Sequence, residues 1–216
     1  MNTETFMTYI NDGGPLIMWT LVGLFCVGVA ITIWRLTVIL LAMISTKRLY
    51  KKIYALLQDS ENGGIDAAME LCSKTSGPVA TIIHAGLSRV NKGIDHVEKA
   101  LESAGSIEMA FLESGLVWLA TIANIAPMIG FFGTVAGMIK AFRDIAAMGD
   151  VVPSVVAAGI SIALITTAVG LLVAIPIQLA YNLCVFLIDK IVVSMEENAS
   201  RFVDTLVDLG YDADAK

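Results

Sequence analysis

Residues 151–188 read VVPSVVAAGISIALITTAVGLLVAIPIQLAYNLCVFLI, a run with no Asp, Glu, Lys, Arg or His. A membrane-spanning helix needs about 20 consecutive apolar residues. In hydrocarbon every backbone N–H and C=O must be paired within its own segment, so such a run is a helix and not an open strand. As a helix it would be roughly 57 Å long, at about 1.5 Å per residue, against a hydrocarbon core of about 30 Å. Tilt hardly absorbs that difference. The helix is therefore expected to leave the bilayer and continue towards Leu209.

Two other stretches, residues 13–34 and 114–139, are equally free of charge. Three spanning helices follow, with the two termini on opposite sides of the bilayer. The whole composition agrees, since 56% of the 216 residues are hydrophobic and 16% are charged. Soluble domains average about 45–50% and about 25%. Mean hydropathy is +0.77. A soluble globular protein and a disordered one are both excluded. The first stretch is not expected to be a cleaved signal peptide: it lacks a basic flank and exceeds the usual h-region of about 7–15 residues. A net charge of −6 offers nothing to neutralise phosphates, so nucleic acid is not a partner. Cys26, Cys72, Cys184, His84 and His96 lack metal-ligand spacing, and three scattered cysteines do not make a disulfide framework. No metal and no cofactor is expected.

Lysine and arginine set the orientation. Lys47, Arg48, Lys51, Lys52, Lys74, Arg89, Lys92 and Lys99 lie between the first two stretches, and Lys190, Arg201 and Lys216 follow the third. The other side carries only Lys140 and Arg143. Under the positive-inside rule the N-terminus is periplasmic while the middle and the C-terminus are cytoplasmic. The expected layout is all-α. Residues 1–14 form a periplasmic interfacial helix, or a flexible lead-in, and 15–44 form the first transmembrane helix. Residues 45–113 are a cytoplasmic helical region leading straight into the second transmembrane helix at 114–139. A periplasmic loop covers 140–153, the third transmembrane helix 154–188, and a cytoplasmic helix and tail 189–216, frayed from Tyr211. Turns are expected at Asn62-Gly63-Gly64 and Ser76-Gly77-Pro78, and one unbroken helix from about Ile94 through the second span. Trp19 and Trp34 bracket the first span as interfacial anchors. Arg35, at its inner end, is expected to snorkel to the headgroups.

Small residues line the second and third spans. Pro127, Gly130, Thr134 and Gly137, at intervals of 3, 4 and 3, share one helix face, and Gly133 with Gly137 makes a GxxxG pair. Ala163, Thr167, Gly170 and Ala174, at intervals of 4, 3 and 4, share a face of the third span. Such residues let backbones approach closely in lipid, and packing alone accounts for most of them. Thr134, Thr166 and Thr167 add hydroxyls. A lone threonine can satisfy itself on the carbonyl four residues back, but threonines on two small-residue faces make a polar seam. Ser161, Gln178, Tyr181 and Asn182 extend it. Neither span holds a carboxylate, Lys, Arg or His. Tyrosine and cysteine ordinarily ionise well above neutral pH. A proton path through the seam therefore needs a carrier from another chain.

The run APMIGFFGTVAGMI over residues 126–139, with Phe142 just after, resembles the second-span signature of the TolQ/ExbB/MotA proton-channel family. Gly159-Ile160-Ser161, Ala163-Leu164, Thr166-Thr167-Ala168, Gly170-Leu171, Val173-Ala174-Ile175-Pro176 and Tyr181-Asn182 resemble its third-span signature. The two motifs occur in order over about residues 122–182. Three spans with a helical cytoplasmic middle are similar to the ExbB/TolQ branch, whereas flagellar-type stators have four spans. The resemblance implies a subunit of the bacterial inner membrane, forming a homo-oligomeric ring, a pentamer, around an ExbD/TolR-type partner. That single-span partner carries a membrane-embedded Asp. The resemblance further implies that Thr134 and Thr167 face this Asp on the proton pathway. Pro127, Gly130, Gly133, Gly137, Ala163, Thr166, Gly170 and Ala174 then line the pore or pack its helices. One position departs: the family's Glu five residues before the third-span threonine is Ile162 here. A relay carboxylate from the ring is thus missing, which shifts weight to the partner's Asp and to water held by the hydroxyls.

Two other functions stay open on the residues alone. A self-contained small-solute channel would use the polar seam, although no charged midplane site and no inverted repeat is evident. A passive membrane scaffold would need only the Gly-rich packing faces. An enzyme is not expected, because no nucleophile, base or metal constellation appears. The process energised (import, envelope maintenance, secretion or motility) would be set by the partner's periplasmic domain.

Overall fold

The computed structural model describes residues 14–58, 64–150 and 152–210, without the side chains of 44–48, 50, 51 and 58. Residues 1–13 of the expected interfacial helix, Asn62 and Gly63 of the first turn, and the tail 211–216 lie outside the described residues. Among the described residues, all regular structure is helical. The elements are α1 (Pro15–Gln58), α2 (Gly64–Lys74), α3 (Pro78–Leu87), a 3₁₀ turn (Val90–Lys92), α4 (Ile94–Glu113), α5 (Leu116–Met148) and α6 (Pro153–Asp208). Three segments, Pro15–Met43, Ile94–Met148 and Pro153–Asp208, are long and apolar enough to cross a membrane. The all-α, three-span architecture is the expected one.

Proline and glycine punctuate the helices. α1, α3 and α6 open on Pro15, Pro78 and Pro153, where the missing N–H is one of the amides that lacks a helical partner anyway. α5 closes at Gly149, whose φ of 71° is left-handed and whose amide donates to the Ile145 carbonyl at 3.1 Å.

Two sequence expectations need correction. The periplasmic loop placed at 140–153 is mostly helix, because α5 runs on to Met148. Lys140 marks where charge begins, but nothing between Ile139 and Gly149 breaks a helix, and solvation and helix termination are separate events. The unbroken helix from Ile94 is interrupted at Ser114 and Gly115, where Gly115 adopts φ 81°. The Ser114 amide closes α4 on the Ala110 carbonyl at 3.0 Å. The Ser114 hydroxyl adds a bond of 2.7 Å to the Phe111 carbonyl.

The chain divides into two compact units. The first holds residues 14–34 of α1, α5, and α6 as far as Leu183. Its interior is built from Met18 and Leu21 of α1, Leu119, Ile122 and Ala126 of α5, and Thr166, Val173 and Ile177 of α6. α1 approaches its neighbours at Gly28, where an added Cβ would collide with the Ile177 side chain. The outside is as apolar as the inside: Met128, Phe131 and Phe132 of α5 and Leu164, Leu172 and Leu179 of α6 are each more than 60% exposed. An apolar rind of that extent is made for lipid, with backbone polarity hidden inside the helices.

The second unit comprises Arg35–Ser114 and the chain from Cys184 onward. Ile39 and Ile53 of α1, Cys72 of α2, Ile83 of α3, Val97 and Leu101 of α4, and Ile188, Met195, Phe202 and Leu206 of α6 are all buried. A Cβ on Gly86 would lie 2.8 Å from Leu101 Cδ2 and 3.0 Å from Phe202 Cε1, so α3 approaches both α4 and α6 there. Arg35 does not snorkel. It is only 1% exposed, and its guanidinium donates to the carbonyls of Leu112 and Phe111 and to the Ser114 hydroxyl. The last carbonyls of a helix have no intrahelical partner and carry the negative end of its dipole. The end of α4 therefore offers a cation several acceptors at once, which headgroups need not supply.

Arg35→Ala should lower stability by about 1.5–3 kcal/mol, the range for hydrogen bonds to a charged group. Arg35→Lys should recover only part of this, because an ammonium cannot reproduce the planar fork. Thermal unfolding of the detergent-solubilised protein measures both. Burial also pushes the Cys72 thiol from 9.0 up to about 11. At pH 8 it should react with iodoacetamide far more slowly than an exposed cysteine, as read by mass spectrometry. The unfolded thiol ionises first, so this group's stabilising contribution should be complete below about pH 9 and be lost as pH rises towards 11.

Candidate functional site

α5 ends at Met148 and α6 begins at Pro153, and the two pack antiparallel along a seam of small residues. On α5 the buried strip is Ala126, Gly130, Gly133, Gly137 and Ala141, at intervals of 4, 3, 4 and 4. On α6 it is Gly159, Ala163, Thr166, Gly170 and Ala174, also 4, 3, 4 and 4. The two strips mesh residue by residue. A Cβ on Gly170 would sit 2.8 Å from the Ala126 carbonyl oxygen and 3.1 Å from Gly130 Cα. One on Gly130 would meet the Thr166 carbonyl at 2.9 Å and the Thr167 Cα at 3.2 Å. One on Gly137 would meet the Gly159 carbonyl at 3.1 Å and Ile162 Cγ2 at 3.2 Å. The helices thus touch through backbone, the closest approach that any residue type permits.

Each threonine has a different job in this seam. Thr166 is fully buried, and its hydroxyl donates to the Ala163 and Ile162 carbonyls at 2.9 and 3.1 Å. Its side chain fills the notch at Gly133, where a Cβ would fall 2.5 Å from Thr166 Oγ1. Thr167 is half-buried and donates across the seam to the Gly130 carbonyl at 3.4 Å. Thr134, one turn beyond Gly130, is half-buried too and donates to the Phe131 carbonyl of its own helix at 2.6 Å. Further along α6, Gln178 donates to Asn182 at 3.0 Å on an exposed face.

Of the residues read from spacing, Gly130, Gly133, Gly137, Ala163, Gly170 and Ala174 lie in the buried strips, while Pro127, Thr134 and Thr167 lie at their edges. Pro127, grouped with Gly130 and Gly137, is half-buried beside the strip, as is Thr134. Thr167, grouped with Ala163, Gly170 and Ala174, sits at the edge in the same way, and Thr166 takes the central place. Ala126, Ala141 and Gly159 belong to the seam but lie outside the sets read from spacing. Their signal was present as the matching 4, 3, 4, 4 spacing of small residues on both helices. Ile162 is half-buried against Gly137 and brings no polar atom to the seam.

A profile of the MotA/TolQ/ExbB proton channel family matches residues 74–197, which contain the whole seam. The chain belongs to this family. The Tol-Pal system protein TolQ of Pseudomonas aeruginosa is 32% identical over 178 residues, covering 75% of this chain and 76% of the relative. The TolQ of Haemophilus influenzae is 38% identical over 106 residues, covering 49% and 45%. The biopolymer transport protein ExbB of Xanthomonas campestris is 42% identical over 88 residues, covering 41% and 35%. The chain thus spans less than half the length of the last two and about three quarters of the first. Within the MotA/TolQ/ExbB family it lies on the ExbB/TolQ branch, and it is a multi-pass membrane protein.

Gly130→Ala should destabilise the protein by about 1–3 kcal/mol, the usual cost of overpacking, because its Cβ meets backbone that cannot rotate away. Gly23→Ala is the control, since nothing lies within 4 Å of its Cβ. It should be neutral, or stabilising by up to about 1 kcal/mol through helix propensity. Thermal unfolding of both variants in one detergent separates the two effects.

Proposed function

We propose that this protein is the proton-channel subunit of an energy-transducing complex of the ExbB–ExbD or TolQ–TolR type in the bacterial inner membrane. Several copies, five on the family pattern, surround the helix of a single-span partner whose membrane Asp carries the proton. The N-terminus is periplasmic and the C-terminus cytoplasmic, as the lysines and arginines require. Lys190, stacked over the Phe186 ring at 4.4 Å, then sits near the inner boundary of the third span.

The observation that carries this reading is the hydroxyl pair at the seam. Thr167 reaches the Gly130 carbonyl, with Thr134 one turn further along, in spans that otherwise hold no titratable carrier. Both are only half-buried; Thr167 holds its acceptor loosely at 3.4 Å, whereas Thr134 holds the Phe131 carbonyl of its own turn at 2.6 Å. Each can turn to bond a carboxyl group or a water at the edge of the seam. Thr166, locked in the notch at Gly133, holds the two helices in register and takes no part in proton transfer. Ile162 supplies no carboxylate, so in this chain the carrier is the partner's alone.

The energy suffices for coupling. One elementary charge crossing 100 mV releases about 2.3 kcal/mol. That biases a two-state arrangement roughly fiftyfold. The work is delivered to the partner, which acts across the periplasm in import, envelope maintenance, secretion or motility.

Thr167→Val keeps the shape and removes the hydroxyl. With its partner in proteoliposomes, this variant should assemble normally but lose proton flux by about tenfold or more, which corresponds to about 1.4 kcal/mol in the barrier. Thr166→Val should leave flux near the wild-type level. Undiminished flux in Thr167→Val removes the site assignment and favours a scaffold. Flux of an uncharged solute without any partner favours a self-contained channel.

A further inference from the structure

Two carboxamides share a stripe of α6 with Thr167. The stripe runs Thr167, Leu171, Ala174, Gln178 and Asn182, at intervals of 4, 3, 4 and 4. Gln178 is half-buried and Asn182 exposed, and the Gln178 Nε2 amide donates to Asn182 Oδ1 at 3.0 Å. That bond uses one donor and one acceptor of the pair. The Gln178 oxygen and the Asn182 NH₂ group keep the capacity to bond a group outside the helix. Around them Ile175, Leu179 and Leu183 are exposed and apolar. Lipid beside such residues offers an amide no hydrogen bond, which is costly.

The register of the seam gives their depth. Gly170 meets Ala126 and Gly159 meets Gly137, so each step forward along α6 matches a step back along α5. Lys140, the first charge after the second span, is then level with about Val156. Gln178 is level with about Trp118, near the start of α5 at Leu116. Thr167 stands eleven residues from each of Val156 and Gln178, about 16 Å at about 1.5 Å per residue. The Thr167 hydroxyl therefore lies midway through the span. The amide pair lies at the end where α6 runs on beyond it.

We propose that the Gln178–Asn182 pair is the inner mouth of the proton path, holding the water through which protons leave the Thr167 edge for the cytoplasm. An ordered water needs two to four polar partners, and the bonded pair presents a fixed acceptor and a fixed donor group to it. Between mouth and midplane the stripe is apolar, at Leu171 and Ala174. That interval keeps the water from running on as a continuous leak, so a proton crosses it only with the partner's carrier. The inference rests on the proton-channel reading above and assigns the exit side of the same edge.

The test combines water access with flux. Cys26 is exposed and is first replaced by Ser, whereas Cys72 and Cys184 are buried. In inside-out vesicles holding the chain and its partner, Gln178→Cys and Asn182→Cys should react with a charged, membrane-impermeant methanethiosulfonate. They should do so at least tenfold faster than Leu179→Cys and Leu183→Cys, which lie at the same depth but about 100° round the helix. In proteoliposomes, Gln178→Leu with Asn182→Leu should assemble to the wild-type mass yet lose about tenfold in proton flux. The exchanged pair, Gln178→Asn with Asn182→Gln, keeps both amides and should recover most of it. Equal reaction at all four positions makes the pair an ordinary headgroup contact and overturns the proposal. So does undiminished flux in the leucine variant, or an exchanged pair no better than leucine. If the leucine variant fails to assemble, the labelling pattern decides. A parent complex that carries no protons removes the channel reading itself, and that result is read before any substitution at 178 or 182 is made.

Discussion

Where Gly130 faces Gly170, the helices α5 and α6 come together with no side-chain atom between them. A methyl group on either residue would lie within 3 Å of a carbonyl oxygen on the other helix. This backbone contact is the constraint from which the rest of the first unit follows. It fixes the register along the whole seam, so that Thr166 enters the notch at Gly133 and Ile162 meets Gly137. It also brings the Thr167 hydroxyl within reach of the Gly130 carbonyl. In lipid, apolar side chains gain little by leaving one hydrocarbon environment for another, so close packing of this kind takes over the role that water exclusion has in a soluble core.

A seam built from backbone has a functional consequence. Bulky side chains are displaced to the outside, where Phe131, Phe132 and Leu172 are exposed. The few polar atoms left at the seam edge are hydroxyls, which donate and accept hydrogen bonds without carrying charge. Hydroxyls of this kind can orient a hydrogen-bonding group but do not carry charge at neutral pH. The family match over residues 74–197 contains this whole seam. In the second unit the corresponding anchor is electrostatic. Arg35 ties α1 to the exposed carbonyls at the end of α4, a strong bond because its donor is ionised and its surroundings are dry.

The sequence was most legible where one force dominates. Uncharged runs located the spans, and small-residue spacing located the faces that meet. It misled where two forces coincide in the chain but act separately. The first charge after the second span, Lys140, reads as the end of a helix, yet hydration and helix termination are independent, and α5 continues to Gly149. Between Ile94 and Pro127 there is no proline, yet Gly115 in a left-handed conformation breaks the run. Arg35 reads as a residue seeking headgroups, because its better partners lie more than seventy residues away in the chain.

Composition and periodicity by themselves determined the helical class, the number of spans and the small-residue faces through which two of them pack. These are properties of single segments measured against solvent, and a segment carries that information wherever it lies. The two signatures placed the chain in its family for the same reason, since they are local strings. Tertiary structure alone decided which threonine packs and which one faces the edge. Adjacent positions on a helix differ by about 100°, so a rotation of α6 of that size would exchange Thr166 and Thr167. The close approach of Gly130 and Gly170, with Thr166 fitted against Gly133, sets that rotation.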